Sequence, residues 1–489
     1  MSPPAEVADG RPHVVVVGGG ITGLATAWFL RDHARVTVLE ADDRLGGKIR
    51  TSSLAGVPVE EGPDTFLARV PEARALAVAL GLGADLVEPA TGAAFVWTRG
   101  RLRPLPTGQV LGVPIELRPL LRSGVLPPAA VARAGLDLVL PRSRPGLSAD
   151  PSVAEVVGRR MGRGVVDLLV EPLVGGINAG RADDLSLSAT APQLAEAAAA
   201  SRSLVLGLRR RRRAAATAPA APVVAAQTGT PHAGTGSLFL GVAGGLGRLV
   251  DRLAGALGEA GVDVRTGVAA TSVEPDGGGG YLVATADGAA LAAVNVVVTV
   301  PAYAAASLVR TAAPAAAADL ERIRYASVAV ATLAYRPDDL PSPLDGAGFL
   351  VPRVERRLMT ACTWSTSKWP ALAASGLALL RASAGRAGDD RHADLDDAEL
   401  VAQLHRELSD AVGVRQPPVT SLVSGWPQGF PQYQPGHQRR VDRIEAALAN
   451  DMPGVTVTGA AYRGLGIAAC VRQAGEAAAR ITAGDDSLR

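Results

Sequence analysis

The chain has 489 residues, 48% hydrophobic, 20% charged and 3% aromatic, which excludes a wholly disordered polymer and allows roughly two to four domain-sized units. Its 56 Gly and 35 Pro follow no triplet period, so a collagen-like fibre is excluded as well. A formal charge of +2, from 49 basic and 47 acidic residues, is too small for a general affinity for nucleic acid or for an anionic membrane.

Cys362 and Cys470 are the only cysteines and the six histidines are scattered. Neither zinc spacing nor a disulfide framework is present, so no metal site is expected and a reducing cytoplasm is the default compartment. Only Lys48 and Lys368 among the basic residues are lysine; this bias, like the abundance of Ala, reads as codon usage in a GC-rich genome.

The first element is Val14-Val-Val-Val17, a β-branched run suited to a strand buried on both faces. The apolar stretch Val14 to Leu30 follows Arg11 and His13 and mimics a signal peptide. It is broken by Gly18, Gly19, Gly20 and Gly23, is short of the about 20 residues of a membrane span, and has no small-residue cleavage site after it. Gly18-Gly19-Gly20-Ile21-Thr22-Gly23 supplies G-x-G-x-x-G between that strand and a helix expected over Leu24–Arg31. Gly18 permits the tight turn, Gly20 lets a pyrophosphate reach the backbone, and Gly23 lets the helix pack closely, with the helix N-terminus facing the diphosphate. A second strand, Arg35 to Glu40, ends on an acidic residue placed to hold a ribose hydroxyl pair, with Ala41 following it. The unit predicts dinucleotide binding.

Next come Arg44-Leu-Gly46-Gly47-Lys48, then Glu61-Gly62-Pro63-Asp64-Thr65-Phe66-Leu67 and Arg69. Residues 110–210 are rich in Leu, Ala and Arg with few strand runs, which predicts helices. Arg209 to Arg213 reads as a solvated loop or a disordered run, and Ala214–Ala226 as a flexible surface segment. Strands are expected over Val262–Val268, Val294–Val300 and from Ser327 to Tyr335. Near the end, Val455–Thr458 reads as a strand leading through Gly459 and Gly466 into a helix that starts with Ile467, Ala468 and Ala469.

Arg44-x-Gly46-Gly47-Lys48 resembles the second glycine motif, R-x-G-G-R, of the amine-oxidase-like FAD enzymes. Lys48 replaces the second Arg and keeps the charge without the bidentate fork. The late strand–Gly–helix unit is similar to the one that closes the flavin site in that superfamily. Within it the chain resembles the protoporphyrinogen/coproporphyrinogen oxidase family of haem biosynthesis. The match rests on Glu61–Leu67, Gly100-Arg-Leu-Arg-Pro104-Leu-Pro106, Glu171–Gly180 followed by Leu185-Ser186, Phe239–Leu249, and above all Pro431-Gln432-Tyr433-x-x-Gly436-His437. It departs at Asn178, where the family has Tyr, and at Ala94, where the plant type has Arg. Asp64 resembles the Gram-positive branch.

The resemblance implies an α/β fold: a Rossmann-like FAD-binding domain of the amine-oxidase/glutathione-reductase superfamily (10–85, 236–305 and 450–485), an α+β substrate domain (86–109 and 306–449), a helical lobe (110–210) and a flexible connection (211–235). It implies non-covalent FAD, since Ala461 rather than Cys precedes Tyr462. The flavin would be held by the two glycine motifs, Glu40, Ala41, Gly62–Thr65, Val268, Trp426, Gly459 and Gly466–Ala469. It implies a porphyrinogen substrate, coproporphyrinogen III or protoporphyrinogen IX, with oxygen as acceptor. Arg69 and Tyr433 are the substrate-binding candidates, and no protein residue is nominated as catalytic because hydride goes to the flavin. Another flavin oxidoreductase of the superfamily, or a non-catalytic flavoprotein scaffold of haem synthesis, stays open. The arginine run has a second reading as a patch for anionic lipid or for ferrochelatase, in a protein otherwise cytoplasmic.

Overall fold

The computed structural model describes residues 10–141, 149–217 and 237–486. At its centre is a five-stranded sheet in the order Asp263–Arg265, Arg35–Leu39, His13–Val17, Asn295–Val298, Val455–Val457, with every neighbouring pair parallel. Val14, Val15 and Val16 are fully buried, as an apolar run covered on both faces must be. The helices Ile21–Leu30, Gly247–Glu259 and Ile467–Asp486 pack together against one face. The helices Ala302–Val309, Pro314–Glu321 and His437–Asp451, with a three-stranded antiparallel sheet, cover the other. Strand order reverses between His13–Val17 and Asn295–Val298, which puts the open crevice of a doubly wound sheet at the glycine loop.

A seven-stranded, mostly antiparallel sheet stands beside this unit, in the order Thr420–Pro431, Tyr325–Tyr335, Ala378–Ala384, Met359–Trp364, Gly348–Leu350, Ala94–Thr98, Arg101–Pro104. Helices from Leu117 to Thr217 form a separate apolar cluster. Within it, Val166–Gly175 is wound as a π-helix, with Pro172 inside it. A proline has no N–H and crowds the carbonyl four residues back, so the widened turn relieves that clash.

Four expectations are corrected. The first helix begins at Ile21, not Leu24, because Gly23 lies within its first turn rather than in the loop. The strand expected over Val262–Val268 is only Asp263–Arg265. Arg209–Arg213 is not a loop: it lies on the helix Leu204–Thr217, where Arg and Ala are both strong helix formers. Arg209 Nε donates to Ile115 O at 2.8 Å, Arg212 pairs with Glu116 and Arg211 with Glu196. The flexible connection expected over 211–235 is therefore helical to Thr217, and 218–236 lie outside the described residues.

Candidate cofactor site

The glycine loop is shaped by three close approaches and one gap. Gly18 has φ +111°, its N–H donates to Leu39 O at 2.7 Å, and a Cβ there would stand 2.6 Å from Thr299 Oγ1. A Cβ on Gly23 would stand 1.8 Å from Gly18 O, so the first turn of the helix lies directly on the loop. At Gly20 the opposite holds: a Cβ would meet nothing within 4 Å. The helix behind it, Ile21–Leu30, has no side-chain cap at its N-terminus. Open space in front of uncapped N–H groups and a positive dipole end fits a diphosphate.

Glu40 follows the second strand. One carboxylate oxygen accepts from Gly19 N at 2.5 Å and the other from Asp42 N at 2.9 Å. It therefore ties the loop to the strand end. Ala41 beside it is exposed. Val268 N donates to Glu40 O at 2.8 Å.

The second glycine motif lies against the first: Gly46 N donates to Gly19 O at 2.9 Å. Arg44 folds back onto its own loop, donating to Gly47 O at 2.6 Å and Leu45 O at 3.2 Å. Lys48 is half-buried and has no hydrogen bond or ion pair among the described residues; burial lowers its pKa, opposed only by the nearby Cys470. A cation in that state fits an anionic group.

Behind Lys48 the chain closes tightly. A Cβ on Gly62 would stand 1.9 Å from Lys48 O and 3.8 Å from the Trp426 ring, and Trp426 Nε1 donates to Glu61 O at 2.9 Å. Pro63, Asp64 and Thr65 continue this half-buried loop. Burial alone would raise the Asp64 carboxyl, but Lys368, Arg381 and a hydrogen bond from Trp369 hold it at about 2. Arg381 also donates to the carbonyls of Glu60 and Gly62. Lys368 and Arg381 were missed in the sequence, because each reaches the Glu60–Asp64 loop only through the fold.

The C-terminal glycines complete the crevice. Gly459 has φ +123° and lies against Thr22; Gly466 has φ +100° with open space where a Cβ would point. Ile467 and Ala468 are buried at the start of the helix, with Ala469 half-buried. Thr22 hydrogen-bonds Cys470, whose thiol burial pushes up; both cysteines are free and buried.

The two substrate candidates both have protein partners. Tyr433 is 3% exposed, and its hydroxyl donates to Ala460 O at 2.8 Å and accepts from Gly464 N at 3.0 Å. It braces the C-terminal glycine segment. Arg69 is half-buried and reaches the helix Pro192–Ala200, where the Gln193 amide oxygen, oriented to accept, lies 2.6 and 3.2 Å from its guanidinium nitrogens. Among the described residues no group of His, Cys, Asp and Glu could hold a metal, and no helix is long and apolar enough to cross a membrane.

The sequence signature of the family Flavin containing amine oxidoreductase matches residues 21–482. The coproporphyrinogen III oxidase of Bacillus subtilis is 35% identical over 96% of this chain and 97% of its own length. That of Staphylococcus aureus is 30% identical over 96% and 99%, and the chloroplastic protoporphyrinogen oxidase of Nicotiana tabacum is 29% identical over 98% and 88%. Among solved structures, an Exiguobacterium protein provisionally named a protoporphyrinogen oxidase superposes with a TM-score of 0.83 at 30% identity, covering 97% of this chain and 99% of that one. Reduced UDP-galactopyranose mutase, at 16% identity and a TM-score of 0.70 over 97% and 96%, shares the fold.

Proposed function

The chain belongs to the flavin containing amine oxidoreductase family, and on that premise we propose that it oxidises coproporphyrinogen III to coproporphyrin III, using FAD and molecular oxygen and releasing hydrogen peroxide. The observation that carries this reading is the 35% identity, over nearly the full length of both chains, with a relative named for that activity. When bound, FAD takes two electrons at a time as hydride and passes them to oxygen, so a six-electron aromatisation takes three rounds.

The chain's own residues bind, orient and exclude water. The gap at Gly20 and the uncapped helix Ile21–Leu30 would receive the diphosphate, with Lys48 supplying a point charge beside it. Trp426, pinned to Glu61 O, would flank the flavin at Gly62. Arg381 and the Asp64–Lys368 pair hold the Gly62–Thr65 loop in one conformation. No side chain is assigned proton transfer. FAD is held non-covalently, since Cys470 is buried behind Thr22 and Ala461 precedes Tyr462. We place the protein in the cytoplasm; a transient contact with ferrochelatase or a membrane surface would use the exposed arginines of the helix Leu204–Thr217.

Protoporphyrinogen IX is the second reading, favoured by the likeness to the Exiguobacterium structure. Offering each porphyrinogen separately and following porphyrin fluorescence with peroxide release decides between them. Coproporphyrinogen III turning over faster, with three peroxides per porphyrin, is the expected result; no porphyrin from either would sink both readings.

A further inference from the structure

The segment Pro431–His437 is the most specific motif in the chain, and cofactor contact does not account for it. Its groups bond three parts of the fold. Toward the cofactor segment, the Tyr433 hydroxyl bonds Ala460 O and Gly464 N. The His437 ring stacks on Tyr433 with centroids 4.0 Å apart and planes at 13°, and its Nε2 lies 2.8 Å from Tyr462 O. A ring nitrogen facing a carbonyl must donate, so the imidazole carries its proton on Nε2. The ring is fully buried, and burial pushes its pKa down to about 4, so it stays neutral across the physiological range.

Toward the helical lobe, Ser186 N donates to Tyr433 O at 2.7 Å. Gly436 N donates to Asp150 Oδ2 at 2.7 Å, and the same carboxylate accepts from the hydroxyls of Ser186 and Ser188. Gln432 Nε2 donates to Asn178 O at 2.9 Å. Toward the seven-stranded sheet, Gln432 N donates to Arg324 O at 2.8 Å. One buried residue, Tyr433, thus touches the cofactor segment with its hydroxyl and the lobe with its carbonyl. Packed interiors pass displacement on rather than absorbing it.

We propose that Pro431–His437 couples cofactor occupancy to the order of the helical lobe, with Tyr433 as a positioning residue. FAD seated against Gly459–Ala469 fixes Ala460 and Gly464, these fix the Tyr433 ring, and its backbone with Asp150 fixes the lobe segment 178–190. The inference rests on flavin binding and holds whichever porphyrinogen is oxidised.

Hydrogen exchange on the full chain tests it, comparing flavin-stripped protein, wild type with saturating FAD, and Tyr433→Phe with saturating FAD. FAD is expected to slow exchange over 182–190 by about five-fold or more in wild type, the lower end of ordinary coupling between sites. In Tyr433→Phe that slowing disappears while FAD still protects 18–30. Asp150→Ala removes the Gly436–Asp150 link but leaves Ser186 N on Tyr433 O; it should weaken the FAD dependence of 182–190 with FAD affinity unchanged, and it serves if Tyr433→Phe fails to load. Exchange over 182–190 that ignores FAD in wild type overturns the proposal, as does undiminished protection in whichever variant loads.

Discussion

Lys368 Nζ lies 2.6 Å from Asp64 Oδ2, joining the loop after Gly62 to the short helix Ser365–Lys368 across 304 residues of sequence. Both side chains are largely buried, so removing either takes the closest opposite charge from the other. Asp64→Ala and Lys368→Ala are each expected to cost about 3 kcal/mol at pH 7. The Asp64 pKa is depressed from its ordinary 3.8 to about 2, so its contribution is complete above pH 4 and is lost as pH falls from about 4 to 2. Urea unfolding at pH 7 and pH 2.5 checks this: the gap between wild type and Asp64→Ala should shrink at the lower pH. An unchanged gap would count against it.

Lys48 makes the contrary prediction for stability and binding. Its ammonium is half-buried with no partner among the described residues, so the flavin-free chain gains nothing from the charge. Lys48→Met should leave the flavin-free melting temperature unchanged or higher. It should weaken FAD about ten-fold or more, since a charge-assisted hydrogen bond contributes about 1.5–3 kcal/mol. Lys48→Arg should recover most of that affinity. Titrating stripped protein with FAD, by quenching of flavin fluorescence, measures all three; wild-type affinity in Lys48→Met would remove Lys48 from the site.

What was legible in the sequence was local. The β-branched strand, glycine spacing and terminal Glu40 lie within about thirty residues, where turn and strand chemistry act through neighbours. The R-x-G-G motif likewise announced itself by its own residues. Lys368, Arg381 and the hydroxyl of Tyr433 were not legible, because each acts on residues brought close only by the fold. Tyr433 is a case in point: its motif stood out, but its direction depends on Ala460 and Gly464 from another element. The arginine run failed differently. Its charge suggested a solvated loop, whereas the helix propensity of Arg and Ala, with Glu116 and Glu196 within reach, favoured the helix.

Gly20 and Gly23 separate folding from binding within one motif. Gly23→Ala places a carbon where only 1.8 Å is free before Gly18 O, so the helix must lift off the loop. A loss of about 3 kcal/mol or more in stability is expected, with FAD lost as a consequence. Gly20→Ala meets no protein atom and should keep the flavin-free stability within about 0.5 kcal/mol of wild type. Its methyl nonetheless stands in the gap assigned to the diphosphate, and FAD affinity should fall at least ten-fold. Calorimetry of the stripped proteins with FAD titration distinguishes the pair; Gly20→Ala with normal affinity would move the diphosphate elsewhere.

Glu60 sets a stability effect of the opposite sign to Asp64. Burial raises its carboxyl from 4.5 to about 7, even though Leu246 N and Thr51 Oγ1 both donate to it. The folded protein therefore binds a proton that the unfolded chain has released. That contribution is complete below about pH 4.5 and is lost as pH rises through 7. Glu60→Gln, neutral at every pH, should match or fall below wild type near pH 5 and exceed it by about 2 kcal/mol at pH 8.5. Unfolding free energies at the two pH values give the test. A wild-type minus Glu60→Gln difference that does not change between them would mean that Glu60 is already ionised at pH 5.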